Sequence, residues 1–217
     1  RSGGLGAGAN PKVGKESAES SIEKIKELLD DEYTQMLFIT AGMGGGTGTG
    51  AAPVIAELAR EMNILTVGIV TLPFGFEGRR RKQQAELGIS EIKKHVDAFL
   101  VISNDKLREQ FGNLVLGEAF AQADNVLTSA AKGIAELITV PGYVNVDFED
   151  VRTVIKDSGK AIMGSATAEG EDRAAKAIEE AMNSPLLNDN EIVGATDILL
   201  YITAGTDDIT MDEITEI

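Results

Sequence analysis

The chain has 217 residues, 43% of them hydrophobic, with 20 Lys and Arg against 35 Asp and Glu for a formal charge of −15. That is enough apolar material for one large or two small globular domains, while the acidic balance excludes nonspecific nucleic-acid binding, which depends on basic patches that neutralise phosphates. With no cysteine and one histidine, His95, there is neither a disulfide framework nor a thiolate or multi-histidine metal site; a reducing cytoplasmic setting is compatible, and His95 beside Lys93 and Lys94 reads as surface.

The first strong pattern is an apolar stretch, Met36-Leu37-Phe38-Ile39, that runs into Ala41-Gly42-Met43-Gly44-Gly45-Gly46-Thr47-Gly48-Thr49-Gly50. Glycine has no side chain to block approach and tolerates positive φ, so adjacent glycines can turn several N–H groups toward one anion. Thr47 and Thr49 add hydroxyls. Beyond the run, Ile55, Leu58, Ala59 and Met62 fall at i, i+3, i+4 and i+7, which predicts a helix with Pro53 in its first turn and its positive dipole end toward the loop. The unit reads as strand, glycine loop, helix, a phosphate cradle; a plain tight connection is the alternative. Tyr33 to Ala56 carries no charge and is long enough to cross a bilayer, but its glycines, threonines and Pro53 make it a buried strand and loop, with no direct membrane insertion expected.

Two familiar nucleotide motifs fail. A P-loop needs Gly-Lys-Ser/Thr, and no lysine lies between Lys26 and Lys82. A dinucleotide fingerprint fits loosely at Gly46, Gly48 and Ala51, but the next strand, Ile64 to Thr71, ends in Leu72-Pro73 without the carboxylate that would hold a ribose.

Arg79 to Lys94 is predicted as a helix with Ala85, Ile89, Ile92 and Val96 along one side, and Ala98 to Ser103 as a third strand. Alternating strands and amphipathic helices imply an α/β fold, a parallel sheet with helices on both faces. Ligands bind beyond the carboxyl ends of such strands, where the glycine loop, Phe74 to Gly78 and Asn104-Asp105 fall. Leu116 to Thr139 predicts a long helix, ended by Pro141-Gly142, with Leu127, Ala131, Ile134 and Ile138 on one face; it is expected to lie buried between two lobes. A second, smaller α/β domain is expected from a helix over Asp147 to Asp157, a strand at Ala161 to Thr167, a helix at Glu171 to Asn183, a strand at Asp197 to Thr203 and a helix from Met211. The boundaries so drawn are residues 1–115, 116–140 and 141–217. The chain begins without methionine in a glycine loop and stops at Ile217 inside that last helix, so it is expected to be an internal fragment.

Three local pairs carry chemistry. Phe120 and Asp124, four apart on a helix, put a ring and a carboxylate on one side, able to address one base; from the residues alone a core ring and a solvated charge is the favoured reading. Glu77 and Arg81 are likewise one turn apart within a run of basic residues that reads as a solvated helix start. Asp147 and Asp150, within Asn145-Val146-Asp147-Phe148-Glu149-Asp150, are spaced as N-cap and N3 of a helix.

The heptapeptide Gly44 to Gly50 resembles the GGGTGTG signature of the tubulin superfamily. Further blocks narrow the resemblance to the FtsZ family of bacterial cell-division GTPases: Gly4 to Pro11, Ala41 to Pro53, Pro73 to Gly78, Ser103 to Asp105, Ala123 to Leu127, Gly133 to Thr139 and Asn145 to Val151. The resemblance implies that the ligand is GTP or GDP with Mg2+, for which no protein ligand is assigned. It implies that Gly44, Gly45, Gly46, Thr47, Gly48, Thr49 and Gly50 hold phosphates, that Glu77 and Arg81 contact the sugar and phosphate region, and that Asn104, Phe120 and Asp124 serve the base. By the same resemblance Asn145, Asp147 and Asp150 enter the pocket of the next subunit and polarise the attacking water, so hydrolysis requires a head-to-tail homopolymer. The filament is then expected to form the ring at the midcell division site, with membrane tethers and regulators binding a tail absent from these residues. A further phosphate-contacting glycine loop is also expected outside them. A tubulin-like filament with a role other than division, such as DNA segregation, and a dinucleotide-binding enzyme are the rival expectations.

Overall fold

A computed structural model describes residues 6–112, 115–140, 146–183, 195–205 and 207–217. Its strands β1 (Met36–Gly42), β2 (Leu65–Leu72), β3 (Ala98–Ser103) and the short β4 (Gly159–Lys160) pair in that order, all parallel. Met36 lies opposite Leu65, and Val67 opposite Ala98. β2 is buried along nearly its whole length, the pattern of a parallel strand covered on both faces.

The helices are α1 (Pro11–Glu19), α2 (Ile22–Leu29), α3 (Thr47–Glu61), α4 (Arg79–Ile92), α5 (Asn104–Phe111), α6 (Leu116–Thr139), α7 (Phe148–Ile155), α8 (Arg173–Met182) and α9 (Met211–Glu216). The period-two alternation of the strands sorts them into layers. Ile39, Val70 and Phe99 face α3 and α4, packing with Ala52, Ala56, Ala85, Ile89 and Ile92. Val67, Ile69, Ala98, Leu100 and Ile102 face the other way, against Leu107 of α5 and Ala123, Val126, Ala130 and Ile134 of α6. This three-layer core sets the carboxyl ends of β1, β2 and β3 side by side, where the loops of the site begin.

Several expectations need correction. α3 starts at Thr47, inside the glycine run, so Pro53 is an interior residue rather than a first-turn one. A proline there removes one intrahelical donor; the contacts of α1 with residues 46–50 fix the early turn regardless, tertiary packing overriding local preference. The deepest stripe of α6 is Ala123, Val126, Ala130 and Ile134, with Leu127 and Ala131 flanking it. Its C-cap Val140 is extended, as suits a residue before proline; Pro141-Gly142 lies outside the described residues. The strand expected at Ala161 to Thr167 is replaced by a two-residue ladder just before it, Gly159 and Lys160, which ends with Ala161 N–H donating to the Phe99 carbonyl at 2.9 Å. Asp197 to Thr203 forms no strand among the described residues. Apolar alternation makes a strand only where a partner supplies the ladder.

Candidate nucleotide site

The glycine run is shaped by how closely other backbone crowds it. Met43 N–H extends the β1 ladder by donating to the Thr71 carbonyl at 3.0 Å. Gly44 then turns at φ +97°, and a Cβ there would lie 2.7 Å from the Arg81 carbonyl oxygen. Added methyls at Gly46, Gly48 and Gly50 would stand 2.6 Å from Ala7 Cβ, 2.6 Å from the Gly42 oxygen and 2.0 Å from the Pro11 oxygen. All four positions are closed to any side chain. Gly45 is different: nothing lies within 4 Å of where its Cβ would be.

Residues 6–10 form the facing wall. Gly8 and Ala9 both have positive φ, 58° and 56°, and Asn10 N–H donates to the Ala7 carbonyl at 2.9 Å, the pattern of a type I′ turn. Asn10 caps α1, its Oδ1 accepting from Lys12 N–H at 3.1 Å with Pro11 in the first turn. Gly46, the N-cap of α3, touches Asn10: its Cβ would sit 2.8 Å from Asn10 N. The positive ends of two helix dipoles thus begin side by side. No side chain caps α3 and its first turn holds no acidic residue, so the amides of Thr47, Gly48 and Thr49 are donors awaiting an acceptor.

Of the two threonines, Thr47 is exposed. Thr49 is buried, and its Oγ1 accepts from Gly44 N–H at 2.9 Å. Its oxygen therefore also braces the loop, beside the donor role expected of the hydroxyl. Gly88 of α4 permits this, because a Cβ there would fall 2.6 Å from Thr49 Cγ2.

A second wall comes from Phe74 to Arg81. Gly75–Glu77 is a 3-10 turn; Glu77 Oε1 accepts from Phe74 N–H at 2.9 Å, and Glu77 Oε2 accepts from Arg81 Nη1 at 2.5 Å. Glu77 is largely shielded and Arg81 half exposed, so the guanidinium is presented outward from a fixed base. Through the Arg81 carbonyl this wall also abuts Gly44.

At the end of β3, Asn104 is 5% exposed and its Oδ1 has no hydrogen-bond partner. A buried, unsatisfied amide oxygen is costly and calls for an external donor. Phe74 stacks on Phe76 with centroids 5.1 Å apart and meets Phe120 edge-on at 5.3 Å, giving a ring wall with Phe120 41% exposed. Asp124 is exposed one turn further along α6. Gly44 to Gly50, Glu77 and Arg81 are thus joined directly, and Phe120 joins them through Phe74. Asn104 is tied in by its neighbour Asp105, whose Oδ1 accepts from Gly75 N–H at 2.9 Å.

Asp147 and Asp150 stand apart from this assembly. Asp147 Oδ1 accepts from Asp150 N–H at 2.9 Å and Asp150 Oδ2 from Asp147 N–H at 3.2 Å, a reciprocal capping box on α7, with both residues exposed. Asn145 lies outside the described residues. Among the described residues there is no group of three or more His, Cys, Asp or Glu that could hold a metal ion, so no position for magnesium is picked out. Sequence reasoning missed α1 as part of the cradle, although Asn10-Pro11 is a helix-start signal. It also missed Gly14, whose Cβ would lie 2.2 Å from the Gly46 oxygen, and the Asp105 link.

The family model described as "Tubulin/FtsZ family, GTPase domain" matches residues 1–112, and that described as "FtsZ family, C-terminal domain" matches residues 159–217. The cell division protein FtsZ of Porphyromonas gingivalis is 54% identical over 215 residues, covering 99% of this chain and 47% of that protein. FtsZ of Buchnera aphidicola from Schizaphis graminum is 54% identical over 97% of this chain and 54% of its own length. The chain therefore spans about half the length of the curated relatives it matches. Among solved structures, an empty FtsZ dimer from M. jannaschii superposes with a TM-score of 0.80 at 49% identity, over 85% of this chain and 53% of that one. CetZ2 from Haloferax volcanii, a GTPγS-bound protofilament, gives 0.66 at 27% identity, over 84% and 54%. None of these favours a dinucleotide-dependent enzyme, and together they place the chain in the Tubulin/FtsZ family.

Proposed function

We propose that the protein binds GTP in the cradle between α1 and α3, hydrolyses it at a contact between subunits, and assembles head to tail into the filament of the bacterial division ring. The observation that carries this reading is the convergence of the two helix N-termini beside Gly45, the one glycine from Gly44 to Gly50 with open space before it. Amides and dipoles supply the positive field in a chain that is acidic overall. Guanine would meet the unpaired Asn104 oxygen, which accepts from the ring N1–H or exocyclic amine, with Phe120 as its planar partner and Asp124 beside it. Glu77 holds Arg81 toward the sugar and phosphates.

Phosphoryl transfer depends on positioning and charge stabilisation more than on covalent chemistry. Asp147 and Asp150 are absent from their own chain's cradle, which fits a role in a neighbour's, where with Asn145 they would orient the attacking water. Bound GTP then stays nearly inert until a second subunit docks. One heterologous contact repeated without closure gives an open filament. Magnesium would arrive with the nucleotide; no step is assigned to it. A cytoplasmic site at midcell, with tethers and regulators on a tail beyond these residues, completes the proposal, and the FtsZ dimer and CetZ2 protofilament support the assembly.

The test is GTP turnover per molecule against concentration of the full-length protein. A rise above a threshold concentration is expected; constant turnover would mean a self-contained site and would overturn the shared one. Asp150→Ala should cut turnover about a hundredfold, the scale of a lost general base or water-orienting group, with GTP affinity unchanged within about twofold. Loss of affinity with unchanged turnover per bound GTP would refute the role given to Asp150.

A further inference from the structure

Asp105 carries a contact that the proposed chemistry does not use. It is the second residue of α5, directly after Asn104, and its carboxylate reaches thirty residues back to accept the Gly75 N–H at 2.9 Å. Gly75 is packed against it: a Cβ there would lie 3.2 Å from Asp105 Oδ2. The bond fixes the first residue of the 3-10 turn. Phe74, before that turn, supports Phe120 edge-on; Glu77, at its end, holds Arg81, whose carbonyl abuts Gly44. A single hydrogen bond therefore ties the element carrying the buried Asn104 amide to the ring wall and, through Glu77 and Arg81, to the phosphate loop.

We propose that Asp105 is a positioning residue that sets base recognition in register with phosphate binding, by clamping the Phe74–Glu77 turn to the start of α5. The inference rests on the guanine-nucleotide reading of the site. Without the clamp, Asn104 and the Phe120 wall move relative to Gly44 to Gly50, so contacts to the base weaken while contacts to phosphate persist. Affinity for GTP falls more than affinity for ATP, which the cradle holds through phosphates alone.

The experiment measures equilibrium binding of GTP and ATP to the full-length protein and its variants, beside urea unfolding midpoints. Asp105→Ala is expected to weaken GTP binding about tenfold, the scale of a lost hydrogen bond to a charged group, and to lower the GTP-over-ATP preference by a similar factor. Asp105→Asn keeps an acceptor for the Gly75 N–H and should stay within about threefold of the wild type, which a helix-end charge effect alone would not allow. Gly75→Pro deletes the donor instead; the backbone there, first in a 3-10 turn after an extended Phe74, accepts proline, and the ring carbon that replaces the N–H displaces the Asp105 carboxylate, so the clamp is broken from the other side. It should reproduce Asp105→Ala, and combining the two should add less than twofold. Should Asp105→Ala fail to fold, Gly75→Pro and Asp105→Asn carry the test. The clamp is refuted if both deletions keep the GTP-over-ATP preference within twofold, or if Asp105→Asn loses as much as Asp105→Ala. A wild-type protein that binds ATP as tightly as GTP would overturn the guanine reading itself, a separate result.

Discussion

The cradle and the α7 to α9 region treat helix ends in opposite ways. At α3 the N-terminus has a glycine cap, no side-chain bond to its first amides and no acidic residue in its first turn. At α7 and α9 two of the end amides, those of the N-cap and of the third helical residue, are met by reciprocal boxes, Asp147 with Asp150 and Thr210 with Glu213, and the first turns are acidic. A helix end that satisfies itself is finished; one left bare beside a second helix end is arranged for an anion from outside. The cradle is consequently built from backbone proximity, and the distal region from charged side chains. Added volume should break the first, and protons the second.

The largest effect is expected at Gly50. Alanine there gains about 1 kcal/mol of helix propensity, but its methyl would lie 2.0 Å from the Pro11 oxygen and 2.8 Å from Lys15 N. Backbone on a packed helix cannot yield as a flexible side chain does, so α1 must move off α3. The net cost should be about 3 kcal/mol, at the upper end for overpacking, read as a lower urea midpoint together with loss of GTP binding. An unchanged midpoint would mean that α1 and α3 are not in backbone contact.

This contrast also explains what was legible in the sequence. Met36 to Ile39, Ala98 to Ser103 and Leu116 to Thr139 declare themselves through apolar runs or a sustained helical period, because each turns an apolar face into the core. The glycine run announces a cradle, but not which glycines face a ligand. That depends on Pro11, Asn10 and Arg81, distant in sequence from the run they pack against, and from Gly44 to Gly50 only Gly45 proves open. Pro53 misleads because a local rule is overridden by α1. Asp147 and Asp150 are legible as a cap, and the structure shows that cap; any second role depends on another molecule and leaves no trace in one chain. The Asp105 to Gly75 bond joins the start of α5 to a 3-10 turn thirty residues earlier and has no periodic signature.

Acid should act on the distal region. Arg173 Nε donates to Glu213 Oε1 at 2.5 Å and Nη2 to Oε2 at 3.0 Å, while the same guanidinium reaches the Asp208 carbonyl at 2.6 Å. The Arg173 hydrogen bond, then the Thr210 N–H, holds the Glu213 carboxyl down at about 2, from an ordinary 4.5. A carboxyl depressed on folding contributes stability that is complete above the unfolded value and lost as pH falls through the folded one. The difference in thermal midpoint between wild type and Glu213→Gln should therefore be constant above about pH 5 and shrink between pH 4.5 and 2. Arg173 joins α8 to the approach of α9, so the variant should loosen that pair and leave GTP affinity at neutral pH unchanged. A difference that persists at about pH 2 would remove the ion pair from the account.

Gly45→Ala should have the smallest effect on stability and is the sharpest test of the comparison. Its methyl meets nothing within 4 Å and its φ is not in the left-handed region, so the urea midpoint should move by no more than about 0.5 kcal/mol, the range of an unconstrained surface change. If the bare end of α3 holds phosphate, the same methyl stands in the only side-chain space that Gly44 to Gly50 leave open, and GTP affinity should fall at least about tenfold. Gly50→Ala loses binding by losing the fold; Gly45→Ala should lose it with the fold intact. Retained GTP affinity in Gly45→Ala would put the phosphates elsewhere, and the uncapped α3 terminus would then need another explanation than an anion.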